Sequence, residues 1–88
     1  MSESTKLWSL YVLRCADGTL YCGITNDVER RVEMHNRGAG ARYTRGRGPV
    51  VLAGAWAVGS RSAALKAEIA FKALRREAKE SRLLVSTV

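Results

Sequence analysis

The 88-residue chain lacks the features typical of membrane-spanning, secreted and zinc-binding proteins. No apolar run is long enough to cross a bilayer. The N-terminal "MSESTK" has no basic stretch followed by an apolar one, so it does not resemble a signal peptide. Cys15 and Cys22 are the only cysteines, and with the single histidine they match no zinc-ligand spacing. We therefore expect a cytoplasmic protein with reduced thiols and no membrane partner, with a disordered tail at residues 1–6 and one domain over residues 7–88.

Acidic residues are scarce in the second half of the chain. Between Glu33 and Glu77 the sole acidic residue is Glu68, whereas arginines and lysines recur throughout that segment. The whole chain has 15 Lys and Arg against 8 Asp and Glu, which gives a net charge of +7. A field of one sign attracts polyanions, and no basic helix has the bulky apolar face that suits a membrane surface. We expect a nucleic-acid partner, most simply DNA; a merely soluble basic surface is the alternative.

The segment "SLYVLRCADGTLYCGIT", residues 9–25, predicts a β-hairpin around an Asp-Gly turn. A two-residue loop would place Tyr11 and Tyr21 on opposite faces of the hairpin. A three-residue loop ending on a left-handed Gly18 would pair Tyr11 with Gly23, place both phenols on one face and leave open space at Gly23. We favour the three-residue loop because its third residue is glycine.

The segment "TNDVERRVEMHNRG" that follows predicts the first helix. Asn26 is expected to cap it, with Glu29 at a capping-box spacing, and Gly38 is expected to end it. The residues of its core-facing stripe are Val28, Arg31, Val32 and His35.

A Gly-rich basic loop, "GAGARYTRGRGP", spans residues 38–49 and has neither helical nor strand periodicity. Arginines interleaved with an aromatic residue suit a phosphate backbone and a stacked base. A flexible connection is the alternative, although long loops in small domains are commonly functional. The residues predicted to bind nucleic acid are Arg42, Tyr43, Arg45 and Arg47 in this loop and Lys72 on the later helix.

The remaining chain predicts one strand and one or two helices. "VVLAGAWAV", residues 50–58, is expected to be a buried third strand, and residues 62–77 a strong helix with Glu68 on its inward side. "AKESRLLV" predicts a last short helix after a bend near residues 77–79. The other residues assigned to the inward face of the main helix are Leu65, Ile69, Lys72 and Ala73. The order of elements indicates an α+β fold, a small three-stranded antiparallel sheet flanked by helices.

Five residues stand out against this fold: Tyr11 and Tyr21 on one strand face, Arg31 and His35 on the inward side of the first helix, and the isolated acid Glu68. Each has an ordinary structural explanation. Strand tyrosines usually pack, an inward arginine extends its head to solvent, and a lone helical histidine is usually structural. A glutamate among cations is usually an ion-pair partner.

Together these residues resemble the GIY-YIG nuclease superfamily, over about residues 7–84. The two signatures read Ser9-Leu10-Tyr11 and Tyr21-Cys22-Gly23. Arg31 occupies the place of the family's arginine, His35 follows one turn later as in many members, and Glu68 matches the metal-binding glutamate. "HNRGAGARYTRGRGPVVL" resembles small stand-alone bacterial members and the catalytic subunit of branched-DNA nucleases. The departures are Ser-Leu for Gly-Ile, Cys for Ile, and no asparagine in the C-terminal part, where some members have one.

The resemblance implies metal-dependent hydrolysis of phosphodiester bonds in DNA. Tyr11 would accept a proton from the attacking water, with its pKa lowered by Arg31 and the metal ion. Arg31 would stabilise the phosphate, Glu68 would hold Mg²⁺ or Mn²⁺, and Tyr21 and His35 would position water or phosphate. The alternatives are a non-catalytic nucleic-acid-binding module, a nuclease subunit that needs a protein partner for specificity, and an RNA-processing protein.

Overall fold

A computed structural model describes residues 7–86, with side chains through Leu84, so the tail expected at residues 1–6 lies outside the described part. The elements in chain order are β1 (Trp8–Arg14), β2 (Leu20–Thr25), α1 (Val28–Asn36), a short 3₁₀ turn (Arg42–Thr44), β3 (Val51–Gly59), α2 (Arg61–Lys72) and α3 (Arg76–Ser86). The strands form an antiparallel sheet in the order β2-β1-β3. The predicted α+β class is confirmed. Within residues 7–86, no helix is both long enough and apolar enough to span a bilayer.

The hairpin has the predicted three-residue loop. Tyr11 pairs with Gly23, Leu13 pairs with Tyr21, and Gly18 is left-handed with φ +87°. Because directly paired residues share a face, both phenols lie on the same side of the sheet. This register is the first requirement for a site that uses both tyrosines.

The two faces of the sheet bury two separate clusters. One cluster lies under α2 and α3 and comprises Leu10, Val12, Cys22, Phe71 and Leu83. The other lies beside α1 and comprises Tyr11, Leu13, Cys15 and Val50. The alternation of residues along β1 produces this division. Both cysteines are buried free thiols, on opposite faces of the sheet.

The first helix presents the predicted stripe inward, but its cap differs from the prediction. The helix begins at Val28, and Asp27, not Asn26, is the N-cap, with its carboxylate accepting from the Arg30 amide at 3.2 Å. The Thr25 hydroxyl bonds both the amide and the carbonyl of Asp27, which holds that residue in place. Arg30 therefore occupies the position where a capping box would need Glu29. The helix ends before the left-handed glycine at position 38, as predicted.

The third strand was expected to be buried, and this prediction is wrong. Strand β3 lies at an edge of the sheet because β1 takes the central position. Val51 and Leu52 are 59% and 45% exposed, while Trp56 packs against Phe71 on the side of α2. A continuous apolar run suggests that both faces are covered, but it carries no information about which strand lies at the edge.

The main helix presents a different face inward from the predicted one. Ala64, Ala67 and Phe71 pack into the core, whereas Ile69 is 69% exposed. The inward face assigned from the sequence is therefore wrong, because burying the larger Phe71 rotates Ile69 toward solvent.

The helical region divides earlier than predicted. Helix α2 ends at Lys72 and α3 begins at Arg76, before the bend expected near residues 77–79. Glu80 of α3 pairs with Arg14 of β1 at 2.7 Å and with Arg76 at 2.9 Å. This network fastens α3 to the sheet.

Candidate functional site

Four of the predicted site residues lie together on the α1 side of the sheet. The Tyr11 hydroxyl oxygen, Oη, lies 2.9 Å from His35 Nε2, and Arg31 Nε donates to the same oxygen at 3.4 Å. The Tyr21 ring lies 6.4 Å from the Tyr11 ring and 5.2 Å from the His35 ring, measured between centroids. Arg31 and His35 lie one turn apart on α1, so one helix face brings both to the phenol.

Gly23 allows this approach in a way the sequence did not predict. A Cβ atom at Gly23 would lie 2.7 Å from Tyr11 Oη. The space beside Tyr11 is therefore filled by its own phenol, and the expectation of an open gap at Gly23 is wrong. Glycine is needed here for close packing of the Tyr11 ring on β2.

The Gly-rich loop encloses the far side of the His35 ring. The Thr44 hydroxyl oxygen, Oγ1, lies 2.8 Å from His35 Nδ1 and donates to the Ala41 carbonyl at 2.9 Å. The Ala41 amide donates to the same ring nitrogen at 3.4 Å, and a Cβ atom at Gly40 would overlap the ring. His35 and Thr44 are each only 2% exposed.

Thr44 is the residue of the site that sequence reasoning missed. It is one small polar residue in a polar loop, and no periodicity marks its side chain as buried. Its contact with His35 spans nine residues and depends on how the loop folds back over α1. Asn36 helps to hold the loop in this position, because its side-chain amide donates to the Val50 carbonyl and accepts from the Val50 amide.

The protein environment favours the neutral forms of the two central groups. Burial raises the pKa of Tyr11 above its ordinary value, and the Arg31 hydrogen bond only partly opposes this. Arg31 acts on the pKa of Tyr11 in the predicted direction, but burial outweighs it among the protein's own groups. Burial, aided by the positive charge of Arg31, lowers the pKa of His35. At neutral pH the 2.9 Å contact joins a neutral phenol to a neutral imidazole.

An aromatic series extends from this cluster to the surface. Tyr43 stacks on Tyr21 with ring centroids 5.8 Å apart and planes at 28°. The Arg47 guanidinium lies over the Tyr43 ring, 4.4 Å from its centroid. Arg47 also pairs with Asp17 at 2.6 Å and donates to the Tyr43 carbonyl at 2.8 Å. These contacts fasten the basic loop to the hairpin turn.

The predicted nucleic-acid-binding residues fall into two groups. Arg42 and Arg45 are exposed, and their guanidinium groups make no hydrogen bond or ion pair with another residue in the described part. Arg47 and Lys72 are engaged, the first with Asp17 and the second with a glutamate of α2. The free cations of the loop are therefore the better placed to meet a phosphate backbone.

Glu68 lies apart from the tyrosine cluster. Its half-buried side chain, 19% exposed, pairs with Lys72 at 3.2 Å. Its negative charge adds to burial in raising the pKa of Cys22 to about 11. Cys22 lies on the face of the sheet opposite Tyr11 and Tyr21.

Glu68 is the single residue of the predicted site with a carboxylate that could bind a magnesium or manganese ion. In the described part, no three His, Cys, Asp or Glu side chains converge as a metal-binding group. Mg²⁺ is commonly held by one or two carboxylates, with water and substrate phosphate completing its coordination. The Glu68 carboxylate offers one such oxygen ligand.

Comparisons with known proteins agree with this architecture. The GIY-YIG catalytic domain profile matches residues 7–81. A UPF0213 protein of Nitratidesulfovibrio vulgaris is 62% identical over 50 residues, which are 57% of this chain and 46% of that protein. A UPF0213 protein of Streptococcus agalactiae serotype V is 53% identical over 70 residues, 80% of each chain. The solution NMR structure of an E. faecalis protein shares 44% identity and a TM-score of 0.63, covering 96% of this chain and 90% of that one. The chain belongs to the GIY-YIG family, and the relatives it matches include proteins named UPF0213.

Proposed function

We propose that this protein is a metal-dependent endonuclease that hydrolyses phosphodiester bonds in DNA, with Tyr11 as the proton acceptor for the attacking water. The observation that carries the proposal is the hydrogen-bonded series Tyr11–His35–Thr44 beside Arg31, within a GIY-YIG catalytic domain. The family's arginine and tyrosine alone do not distinguish a nuclease from a binding module that kept the fold. A buried histidine in hydrogen-bond contact with the phenol on one side and a hydroxyl on the other suits proton transfer.

The raised pKa of Tyr11 means that a free phenolate is not the resting base. A relay keeps the phenol neutral by passing its proton to His35, whose own lowered pKa makes it hold that proton only weakly. As Tyr11 Oη takes a proton from the attacking water, its own proton passes to His35 Nε2, so charge does not accumulate on the phenol. The distance of 2.9 Å between the two atoms suits this transfer.

The relay requires the His35 tautomer that has its proton on Nδ1. A hydroxyl has one proton, and that of Thr44 is directed to the Ala41 carbonyl, which can only accept. Thr44 Oγ1 then accepts from His35 Nδ1–H at 2.8 Å, and this shorter bond outweighs the 3.4 Å bond from the Ala41 amide, which this tautomer gives up. The lone pair of Nε2 then faces Tyr11. Thr44 is a positioning residue in this scheme, since it acts through His35.

Arg31 links the proton relay to the phosphate. Tyr11 is 1% exposed, and half-buried Arg31 donates to its hydroxyl. A guanidinium that turns toward an arriving phosphate would neutralise its charge and give the attacking water access to Oη. Tyr21 flanks this position. Glu68 would hold Mg²⁺ or Mn²⁺, and the ion, when bound, supplies a Lewis acid for the phosphate and the leaving 3′ oxygen.

The test is a cleavage panel of nicked, flapped, branched and single-stranded DNA, with matching RNA, in Mg²⁺ or Mn²⁺ and again in EDTA. We expect metal-dependent cutting of DNA that is abolished by EDTA and lost in Tyr11→Phe, which keeps the ring and removes the hydroxyl. Binding without cutting in every metal would identify a non-catalytic binding module. Cutting by Tyr11→Phe at the wild-type rate would remove Tyr11 from the chemistry.

A further inference from the structure

A cleft of about 370 Å³ opens beside the site, between the ends of β1 and β2 and the start of α1. Its apolar lining comes from Trp8, Ile24 and Met34. This volume is at the lower end of the range for small-ligand pockets. The rest of the lining is polar or charged and comes from Thr25, Asn26, Asp27, Arg30 and Arg31. The cleft is large enough for one nucleobase.

The polar lining matches the edge of a base. Because Asp27 caps α1, Asn26 is left on the cleft wall, half-buried, and its side-chain amide bonds no other residue in the described part. An amide offers one acceptor and two donors, which suit the edge of a nucleobase. The exposed cation of Arg30 stands at the rim. Asn26, which the sequence predicted to cap the helix, therefore has a side-chain amide that is available to bond a ligand.

Arg31 belongs to both the cleft and the proposed catalytic site. It lines the cleft, and its Nε donates to Tyr11 Oη. A phosphate held by this guanidinium would therefore have the cleft on one side and the phenol on the other. A base in the cleft would then belong to a nucleotide next to the phosphate that Arg31 holds.

We propose that the cleft binds an unpaired nucleobase adjacent to the scissile phosphate, with its faces against Trp8 and Met34 and its edge toward Asn26. The inference rests on the proposed function and names the substrate class of the same site. A base inside a duplex is stacked and paired, and unstacking it is costly, so a base that is already unpaired enters more readily. The preferred DNA is a flap, branch or frayed end rather than a continuous duplex.

The test measures binding in EDTA, so it does not depend on cleavage. Two DNA duplexes differ at one unpaired nucleotide, which has adenine in the first and an abasic tetrahydrofuran in the second. From the usual strength of base stacking on aromatic side chains, wild type should bind the adenine duplex roughly five- to 150-fold more tightly by fluorescence anisotropy. Trp8→Ala, which removes a wall, and Met34→Trp, which fills the cleft, should each bring this ratio close to one.

Tyr43→Ala is the matched control, because Tyr43 is an exposed aromatic residue outside the cleft. It should weaken binding of both duplexes alike and leave the ratio intact. If Tyr43→Ala abolishes the ratio while Trp8→Ala keeps it, the base stacks on the loop and the proposal is wrong. If thermal melting shows Trp8→Ala unfolded, Met34→Trp decides alone.

The two proposals fail in different ways. Equal wild-type affinity for the adenine and abasic duplexes would refute the base cleft and leave the nuclease proposal to its own cleavage panel. A base preference that depends on Trp8, in a protein that cuts nothing in any metal, would support the cleft and refute the nuclease. Absence of binding to either duplex in EDTA would refute the base cleft, and the cleavage panel in Mg²⁺ or Mn²⁺ would decide the nuclease proposal separately.

Discussion

Replacing Thr44 by valine removes one hydroxyl from the buried end of the hydrogen-bonded series and nearly preserves the shape of the side chain. His35 Nδ1 then loses its 2.8 Å partner. The group that remains near this nitrogen is the Ala41 amide at 3.4 Å, which is a donor. A donor favours the tautomer with an unprotonated Nδ1, so the proton moves to Nε2. His35 would then donate to Tyr11 instead of accepting its proton, and the relay would be reversed.

The expected magnitude follows from the burial of both partners. Leaving a buried polar group without its partner costs ~1–3 kcal/mol, and for a domain of this size each kcal/mol lowers Tm by about 4–8 °C. If ~2 kcal/mol of tautomer preference is lost from the reactive state, the cleavage rate falls about 30-fold. Thr44→Ser keeps the hydroxyl and should keep most of the activity.

Two measurements separate this role from a merely structural one. Single-turnover cleavage gives the chemical rate, and ¹⁵N chemical shifts give the tautomer of His35, whose signals are unambiguous because the chain has a single histidine. We expect Nδ1–H in wild type and Thr44→Ser, and Nε2–H in Thr44→Val. An Nε2–H tautomer in wild type would refute the relay. A Thr44→Val variant that melts lower but cuts at the wild-type rate would make Thr44 structural only.

Three further outcomes are expected. Glu68→Gln should lower metal-dependent cleavage by orders of magnitude without lowering Tm, because it removes the charge that attracts the ion; wild-type cutting with a lower Tm would make Glu68 an ion-pair residue. The double variant Arg42→Ala/Arg45→Ala should weaken DNA binding similarly across sequences and reduce the slope of log affinity against log salt by up to about two. Its control, Arg47→Ala, should mainly lower Tm, because Arg47 pairs with Asp17. An unchanged slope in the double variant would place the DNA-binding surface elsewhere. Pairing with arginine lowers the pKa of Glu80 from 4.5 to about 2, so its ionised form stabilises the fold above about pH 4.5, and this contribution is lost as the pH falls toward 2. Acid unfolding followed by circular dichroism should be shallower over that range in Glu80→Gln, and identical curves would refute the linkage.

The hairpin and the first helix were predictable because short-range rules determine them. A glycine at the third loop position sets the register that pairs Tyr11 with Gly23. The 3.6-residue period sets the stripe that includes Arg31 and His35. The grouping of these residues into one site followed from the two patterns together with the family resemblance.

The remaining features depend on tertiary packing, which one sequence does not encode locally. The orientation of α2 depends on which large side chain the sheet accepts, and Phe71 outweighs Ile69. The exposure of β3 depends on its place at the edge of the sheet. Thr44 and Arg47 gain their partners only when the loop closes over α1 and the hairpin turn, and those contacts join residues far apart in sequence.

Strand β3 has no charged residue along Val51–Gly59, and three of its large apolar side chains, Val51, Leu52 and Val58, are exposed at the edge of the sheet. Uncharged edge strands tend to pair with one another, and natural proteins commonly use charges there to prevent it. In this chain the net charge of +7 would repel other copies at a distance instead. Added salt screens that repulsion, so colloidal self-association should increase with ionic strength while DNA binding decreases. The salt concentration therefore determines whether the protein associates mainly through the uncharged edge of β3 or through its basic surface.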